Sequence, residues 1–223
     1  MYKIEMHLHT SHSSPCGKED ADTIARLYAE AGFAGIVVTD HFFNYTCSQW
    51  SWNIPFSDFF PVFTEGYHRL CEAAQPYGLK IYRGAEVRFN TSTDDYLLYN
   101  YPDELLQDPG AVFTMGLEKF YPLCRKAGAI LVQAHPFRGK CVPADPRFID
   151  GAEVYNLKAR GDSHNDLALK FAAENPHFIR LSGSDFHQAE DTGRGGIITS
   201  ELPENDSALA ALLRSGNYRL IGE

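Results

Sequence analysis

The sequence predicts an α/β fold in which about seven strands alternate with helices and a parallel sheet closes into a barrel. Three observations predict it. Apolar runs and helix-periodic segments alternate along the chain. Several of the apolar runs are near-uniform, as strands covered on both faces require. His, Asp and Glu recur where those runs end, at the face where an α/β barrel gathers its catalytic groups. With 223 residues, one domain spanning 1–223 is expected.

The first strand is read in Lys3 to Thr10. Side chains two apart share one side of a strand, so His7 and His9 project together from its end while Met6 and Leu8 turn into the core. A turn-rich loop, Ser11-His12-Ser13-Ser14-Pro15-Cys16-Gly17, leads to Asp20-Ala21-Asp22-Thr23, whose side chains suit a helix start. Ile24, Leu27, Tyr28 and Ala31 fall at helical spacing, and Gly32 ends the helix. Gly35 to Thr39 is a strand that ends in Asp40 and His41. The segment 42–60 is rich in Phe, Tyr and Trp and reads as an irregular lid or apolar patch over the barrel. A helix is expected over 64–77 with Tyr67, Leu70, Cys71 and Ala74 inward and His68 on its surface.

Gly78 to Phe89 is the third strand and carries Glu86 near its end; Tyr96 to Tyr99 follows at once, preceded by Asp94 and Asp95. A helix over 112–126 leads to the strand Ala129 to Pro136, with His135 at its tail and Pro136 removing the next ladder donor. Gly151 to Asn156 is a strand, 165–174 a helix, and Phe178 to His187 a strand that ends in a second i, i+2 pair, Asp185 and His187. A short strand over 196–199 and a helix over 206–215 close the chain.

Composition narrows the function. The chain is 44% hydrophobic and 13% aromatic, which suits a globular core, and it holds no apolar run of about 18 residues to span a membrane. MYKIEMHLHT lacks the basic and apolar regions of a signal peptide, so a cytoplasmic location is expected. Five widely spaced cysteines with no C-x-x-C pair argue against a disulfide framework and a zinc ribbon. A formal charge of -9 argues against an extended nucleic acid as partner. It leaves room for a small phosphorylated substrate, because bound metal reverses the field inside one cleft. Nothing in the sequence sets an oligomeric state.

His7, His9, Asp40, His41, Glu86, Asp95, His135, Asp185 and His187 form a set of nitrogen and oxygen donors from the strand ends. Imidazole with carboxylate suits divalent zinc, iron or manganese, whereas calcium takes oxygen alone. The set exceeds the first shell of one ion, and two or three ions sharing a bridging carboxylate account for the surplus. Such ions lower the pKa of a bound water and clamp both oxygens of a phosphoryl transfer.

The series HLHT, TDH, GAE, AHP and GSDFH, in this order over residues 7–187, resembles the PHP (polymerase and histidinol phosphatase) metal-dependent phosphoesterases. The resemblance implies a distorted (β/α)7 TIM-like barrel with a cleft for two or three metals. It implies that His7, His9, Glu86 and Asp185 hold a first ion, Glu86 and His135 a second, and His41 and His187 a third. Two positions depart from the family pattern. Where the family often carries a His after the GxE strand, this chain has Asp95, which is expected to replace it at the second ion. Where the first loop often supplies Asp or His to the third ion, this chain offers Cys16 or His12, or neither; a thiolate would favour zinc or iron.

Other residues take supporting roles. Asp40 is read either as a partner that orients a ligand imidazole or as a strand-end cap. Arg138 and Arg194 sit on loops that open onto the same face, and a guanidinium suits bidentate phosphate recognition. Lys158 and Arg160 are weaker candidates for that role. Glu153 and Asn156 lie near the cleft with no required metal role, and His164 and His177 fall in polar loops. The expected reaction is in-line attack by a metal-bridging hydroxide on a small phosphate monoester, of the histidinol-phosphatase or nucleotide-phosphatase kind, with Asp185 or His187 protonating the leaving alkoxide. A second reading is a non-catalytic metal-binding regulatory module, suggested by Asp95, Cys16 and the aromatic segment around Trp50 and Trp52. An amidohydrolase-type C–N hydrolase ranks lower, because no strand tail presents a metal-bridging lysine.

Overall fold

One mixed sheet of ten strands curls into a nearly closed barrel, with six α-helices placed around it, across the residues that the computed structural model describes, 1–44 and 54–223. Its elements are β1 (Tyr2–Leu8), α1 (Ala21–Glu30), β2 (Gly35–Val38), β3 (His41–Phe42), α2 (Phe56–Ala73), β4 (Lys80–Arg88), β5 (Asp95–Tyr99), α3 (Pro109–Met115), α4 (Leu117–Ala127), β6 (Ile130–Gln133), β7 (Gly151–Asn156), α5 (Asn165–Glu174), β8 (Ile179–Gly183), β9 (Ile197–Thr199), α6 (Asp206–Ser215) and β10 (Arg219–Leu220). The strands lie in the order β10-β9-β1-β2-β4-β5-β6-β7-β8, with β3 alongside β4.

The parallel sheet expected from the sequence is corrected to a mixed one. β1, β2 and β4 run parallel, as do β6, β7 and β8, but β5 pairs antiparallel with both β4 and β6. Its cause is the short connection 89–94: a parallel crossover needs about a dozen residues or more, so a strand that follows so closely folds back as a hairpin. β9 is also antiparallel, against β1.

Three helical expectations shift. The helix expected over 64–77 begins earlier, at Phe56, because the buried ridge of Phe59, Phe63, Gly66 and Leu70 continues through Pro61. The last residues of the aromatic segment 42–60 therefore belong to α2; Trp50 and Trp52 lie outside the described residues. The helix expected over 112–126 is two helices, divided at Gly116, whose φ of 76° breaks the helical ladder. The expected helices over 165–174 and 206–215 are found at those bounds. α6 is capped at both ends: the Asn205 side chain accepts from Ala208 N–H, and Gly216 closes the helix in the left-handed region.

The barrel closes where β1 meets the segment after β8. Phe186 N–H donates to His7 O at 3.1 Å and His9 N–H to Phe186 O at 3.0 Å. Leu8 and Phe186, both fully buried, pack with Ile24 and Tyr28 in the apolar layer between α1 and the sheet. A second, larger cluster runs from Met6 and Val37 through Leu97, Leu98 and Val132 to Leu209. The seam needs a glycine. A Cβ on Gly183 would stand 2.5 Å from His7 Cβ and 2.6 Å from Glu153 Oε1, so only a bare backbone lets β8 approach β1.

Gly183→Ala is therefore expected to lower the unfolding free energy by about 1–3 kcal/mol, the usual cost of forcing a methyl into a filled interior. Urea unfolding checks it, and an unchanged midpoint would show that the seam is looser than this geometry.

Candidate metal centre

Seven side chains from five parts of the barrel converge at one end. β1 supplies His7 and, just past its end, His9; β3 supplies His41, β4 Glu86, the turn after β6 His135, and the segment after β8 Asp185 and His187. His7, His9, Glu86, His135 and Asp185 are each at most 1% exposed. Buried polar groups must be partnered, and these face one another.

His7 Nε2, His9 Nε2 and Asp185 Oδ1 form a triangle with edges of 3.2, 3.5 and 3.3 Å. Donors bound tetrahedrally at about 2.0–2.1 Å stand roughly 3.3 Å apart, so this is the spacing of three ligands on one ion. Glu86 faces two ways. Its Oε1 is 3.3 Å from His7 Nε2 and 3.0 Å from His135 Nε2, while its Oε2 is 2.7 Å from His41 Nδ1 and 3.4 Å from His9 Nε2. Three donor groups result among the described residues: His7, His9 and Asp185; His7, Glu86 and His135; and His9, His41 and His187. Their mixed nitrogen and oxygen chemistry fits zinc, iron or manganese, and Glu86 Oε2, buried and facing the ring nitrogens of His41 and His9, fits a carboxylate ligand.

The imidazoles are held from behind. His7 Nδ1 lies 3.0 Å from Glu153 Oε1, so the ring donates there and presents its Nε2 to the cluster. Glu153 Oε2 accepts from His135 N–H and from Asn156 Nδ2, each at 3.0 Å. His187 Nδ1 sits 2.7 Å from Asp185 O. Asp40 accepts from Thr10 N–H, Thr10 Oγ1 and Ser14 Oγ, and Ser14 Oγ in turn lies 3.4 Å from His9 Nδ1. His135 and Asp185 adopt positive φ, 30° and 48°, an uncommon conformation for residues with a Cβ that tends to gather at functional sites.

Charge follows this geometry. Burial opposes ionisation throughout, yet His41 and His7 hold Glu86 well below the usual carboxylate range, and Arg138, His7 and His187 do the same for Asp185. Against burial, Glu153, Asp185 and Glu86 raise His7 well above the ordinary histidine value. Burial takes His9 and His187 down to about 3, so both rings are neutral at pH 7. Burial also lifts Asp40 to about 7, against its hydrogen bonds from Ser14 and Thr10.

The other sequence-predicted residues divide. Asp95 lies at the edge of the cluster, Oδ2 3.8 Å from His135 Nε2, and takes a two-pronged contact from Arg88 at 2.6 and 2.7 Å. Cys16 is buried, and burial with Glu86, Asp185 and Asp40 nearby pushes its thiol up to about 12; it belongs to none of the three donor groups. His12 turns away, its Nε2 accepting Ala21 N–H at 3.2 Å at the start of α1. Arg138 enters the cluster, donating to Asp185 Oδ2 and lying 2.8 Å from His135 Nε2. Arg194 does not: its Nε donates to Leu157 O at 2.7 Å and the side chain is exposed, because the end of β7 offers it a carbonyl first. Lys158, the weaker candidate, takes the place expected of Arg194, with Nζ 3.3 Å from His187 Nδ1 and 3.4 Å from Asp185 Oδ2. Sequence reasoning gave Glu153 too little weight. The signal was the tripeptide Gly-Ala-Glu occurring twice, at 84–86 late in β4 and at 151–153 at the start of β7, each time in a buried stretch of strand.

Residues 5–215 match the PHP domain family. No curated protein matches the chain by sequence. Among solved structures the chain is similar to PsfC from Pseudomonas syringae PB-5123, at 18% identity and a TM-score of 0.63 over 88% of this chain and 80% of that one. It is similar to a protein from Bifidobacterium adolescentis described as a metal-dependent phosphoesterase, at 17% identity and a TM-score of 0.54 over 95% and 96% of the two chains. It is also similar to the lesion-specific endonuclease PfuEndoQ from Pyrococcus furiosus, at 13% identity and a TM-score of 0.63, over 98% of this chain and 57% of that one. At these identities the likeness is one of fold.

Zinc or manganese added to chelator-treated protein is expected to raise Tm, by the equivalent of about 2.7 kcal/mol at a hundredfold excess over Kd. Glu153→Gln should weaken that binding about 10–100-fold by loosening His7 and His135. Differential scanning fluorimetry and titration calorimetry measure both effects; a Tm indifferent to every divalent metal would remove the donor groups as a metal centre.

Proposed function

The chain belongs to the PHP domain family, and from that premise we propose that it is a metal-dependent hydrolase of phosphoester bonds that acts on a small phosphate ester. The observation that carries the reading is Glu86, whose two oxygens each face a different pair of imidazoles, the disposition of a carboxylate shared between cations.

In this reading His7, His9, Asp185 and Glu86 would hold one ion, Glu86 and His135 a second with Asp95 at its edge, and His41 and His187 a third, since the single Nε2 lone pair of His7 or His9 can serve one ion only. His9 sits between the first and third groups. Cys16 is left out of the ligand set unless a cation displaces its proton. Bound metal would supply an acidified water and positive charge at the phosphoryl oxygens.

The chain's own residues do the rest. The Arg138 guanidinium and the Lys158 ammonium approach Asp185 from the same side, and both are part-buried cations suited to phosphate oxygens. Asp185, held ionised, serves as an acceptor and ligand rather than an acid. His187, kept neutral, fits a ligand role in the same way. Protonation of the leaving alkoxide then falls to water or to Lys158, which reaches the cluster at His187. The overall charge of -9 favours a compact ester over a long polyanion. No helix among the described residues is long and apolar enough to cross a membrane.

Turnover of p-nitrophenyl phosphate with zinc, manganese or iron is the direct test, set beside bis-p-nitrophenyl phosphate, histidinol phosphate, nucleoside monophosphates and an abasic DNA duplex. Glu86→Gln and His9→Ala are expected to reduce turnover more than about a hundredfold, as removal of a metal ligand exceeds the loss caused by removing its support. Lys158→Ala should raise KM about tenfold, the worth of one charged hydrogen bond. Full activity after metal removal would sink the proposal, and cleavage of the abasic duplex alone would replace the small ester with a nucleic-acid substrate.

A further inference from the structure

We propose that Ser14 is a positioning residue that fixes His9 in the tautomer with its proton on Nδ1, so that the Nε2 lone pair points into the cluster, and that Asp40 sets the direction of this chain of hydrogen bonds. The inference rests on reading His9 as a metal ligand, but its first test needs no metal.

The argument is one of counting protons. A serine hydroxyl has one proton to give and two lone pairs to accept with. Ser14 Oγ stands 2.6 Å from Asp40 Oδ1, the length of a hydroxyl donating to a carboxylate. With the proton committed there, both lone pairs must accept. One takes His41 N–H at 3.0 Å, and the other faces His9 Nδ1 at 3.4 Å. A neutral imidazole that meets a lone pair at Nδ1 avoids repulsion only by placing its N–H there, which leaves Nε2 bare. That nitrogen is the one 3.2 Å from His7 Nε2 and 3.3 Å from Asp185 Oδ1.

An ionised Asp40, the form that prevails above about pH 7, has no proton with which to turn this order around. Its Oδ1 also accepts Thr10 N–H at 2.8 Å, and a backbone amide can only donate; its Oδ2 accepts Thr10 Oγ1 at 2.8 Å. Helix α2 seals the arrangement from outside. A Cβ on Gly66 would stand 2.4 Å from Asp40 Oδ2 and 2.2 Å from Thr10 Oγ1, and Ser13 Oγ fastens the loop to the same helix, donating to Val62 O at 2.7 Å and accepting Gly66 N–H at 2.8 Å. The loop after β1 therefore carries a third layer of support: Asp40 orders Ser14, Ser14 orders His9, and His9 faces the donors of two groups.

Long-range proton–nitrogen correlation spectra of histidine-labelled, metal-free protein, recorded well above pH 7 so that Asp40 is ionised, test the tautomer directly. Wild-type His9 is expected to show the proton on Nδ1. Asp40→Asn should preserve that state, because Thr10 N–H keeps the amide oxygen at Oδ1 and Ser14 still donates to it. Asp40→Ala should reverse it, since the freed Ser14 hydroxyl then donates to His9 Nδ1 and drives the proton to Nε2. Ser14→Ala should give a mixture of tautomers and about a tenfold loss of zinc affinity, with Asp40→Asn near wild type. A wild-type His9 protonated on Nε2 overturns the proposal without any variant, and so does a tautomer unchanged in both Ser14→Ala and Asp40→Ala. If His9 carries its proton on Nδ1 but zinc does not bind, the tautomer assignment is supported and the metal reading beneath it fails.

Discussion

Two backbone hydrogen bonds, Phe186 N–H to His7 O and His9 N–H to Phe186 O, hold the rest of the centre in register. They join the first strand to the segment after the eighth and so bring together two histidine-bearing pairs that lie far apart in sequence. Side chains that flank the bonded residues are committed by the pairing: with Phe186 locked between His7 and His9, Asp185 and His187 must fall beside those rings. Apolar burial pulls the seam shut, since Leu8 and Phe186 are both fully buried against Tyr28 and Ile24, and a fully buried Leu or Phe is worth about 1.5–3 kcal/mol. Glu5 reinforces it from below. Its carboxylate accepts the backbone N–H groups of Met6, His7 and Ser184 and the hydroxyls of Tyr28 and Ser184. Burial still raises its pKa above the ordinary value, so this carboxylate is accommodated only because five donors converge on it.

The centre itself is a balance of buried charge. Glu86, Asp185 and Glu153 are carboxylates at most 1% exposed, each within 3.5 Å of a His7 ring nitrogen. An isolated carboxylate in such a place would take up a proton. Imidazoles and the Arg138 guanidinium keep Glu86 and Asp185 ionised instead. The backbone contributes to the same end: positive φ at His135 and Asp185 is held by the surrounding bonds, Glu153 Oε2 taking His135 N–H and the seam taking the residue after Asp185.

The legible part of the fold was the part that periodicity writes. Buried strands read as apolar runs, and the helices over 165–174 and 206–215 read from their sequence at the bounds they adopt. Hairpin β4–β5 was legible as two strands but not as antiparallel, because direction lies in the connection and not in the strands. Pro61 concealed the first turns of α2, since local chemistry says break where tertiary burial of Phe59 and Phe63 says continue. At the site, the histidines and carboxylates at strand ends stood out because strand ends define one face of a barrel. Arg138 was placed by its distance from His135 in sequence. Lys158 and Arg194 could not be ranked that way: both sit on loops, and what separated them was a single carbonyl, Leu157 O, which captures Arg194. Glu153 and Ser14 were hardest to see, because a residue that orients another has no signature of its own beyond the partner it faces.

The opposition between the global charge of -9 and the cations at the cluster bears on what can reach it. Charges on the surface act through water over about 8 Å at physiological ionic strength, so a long polyanion lying across the molecule meets the net negative field along most of its length. Arg138 and Lys158 act only at the cluster, where both are part-buried and their field is less screened. A ligand whose negative charge is concentrated in one terminal phosphoryl group would place that charge where the local field is most favourable and leave little of itself in the repulsive region. An internal diester spreads less charge per phosphorus and brings flanking phosphates with it. If the proposed reading holds and the substrate is a compact monoester, its gain over a diester should grow as ionic strength falls, since lowering salt lengthens the reach of the repulsive surface.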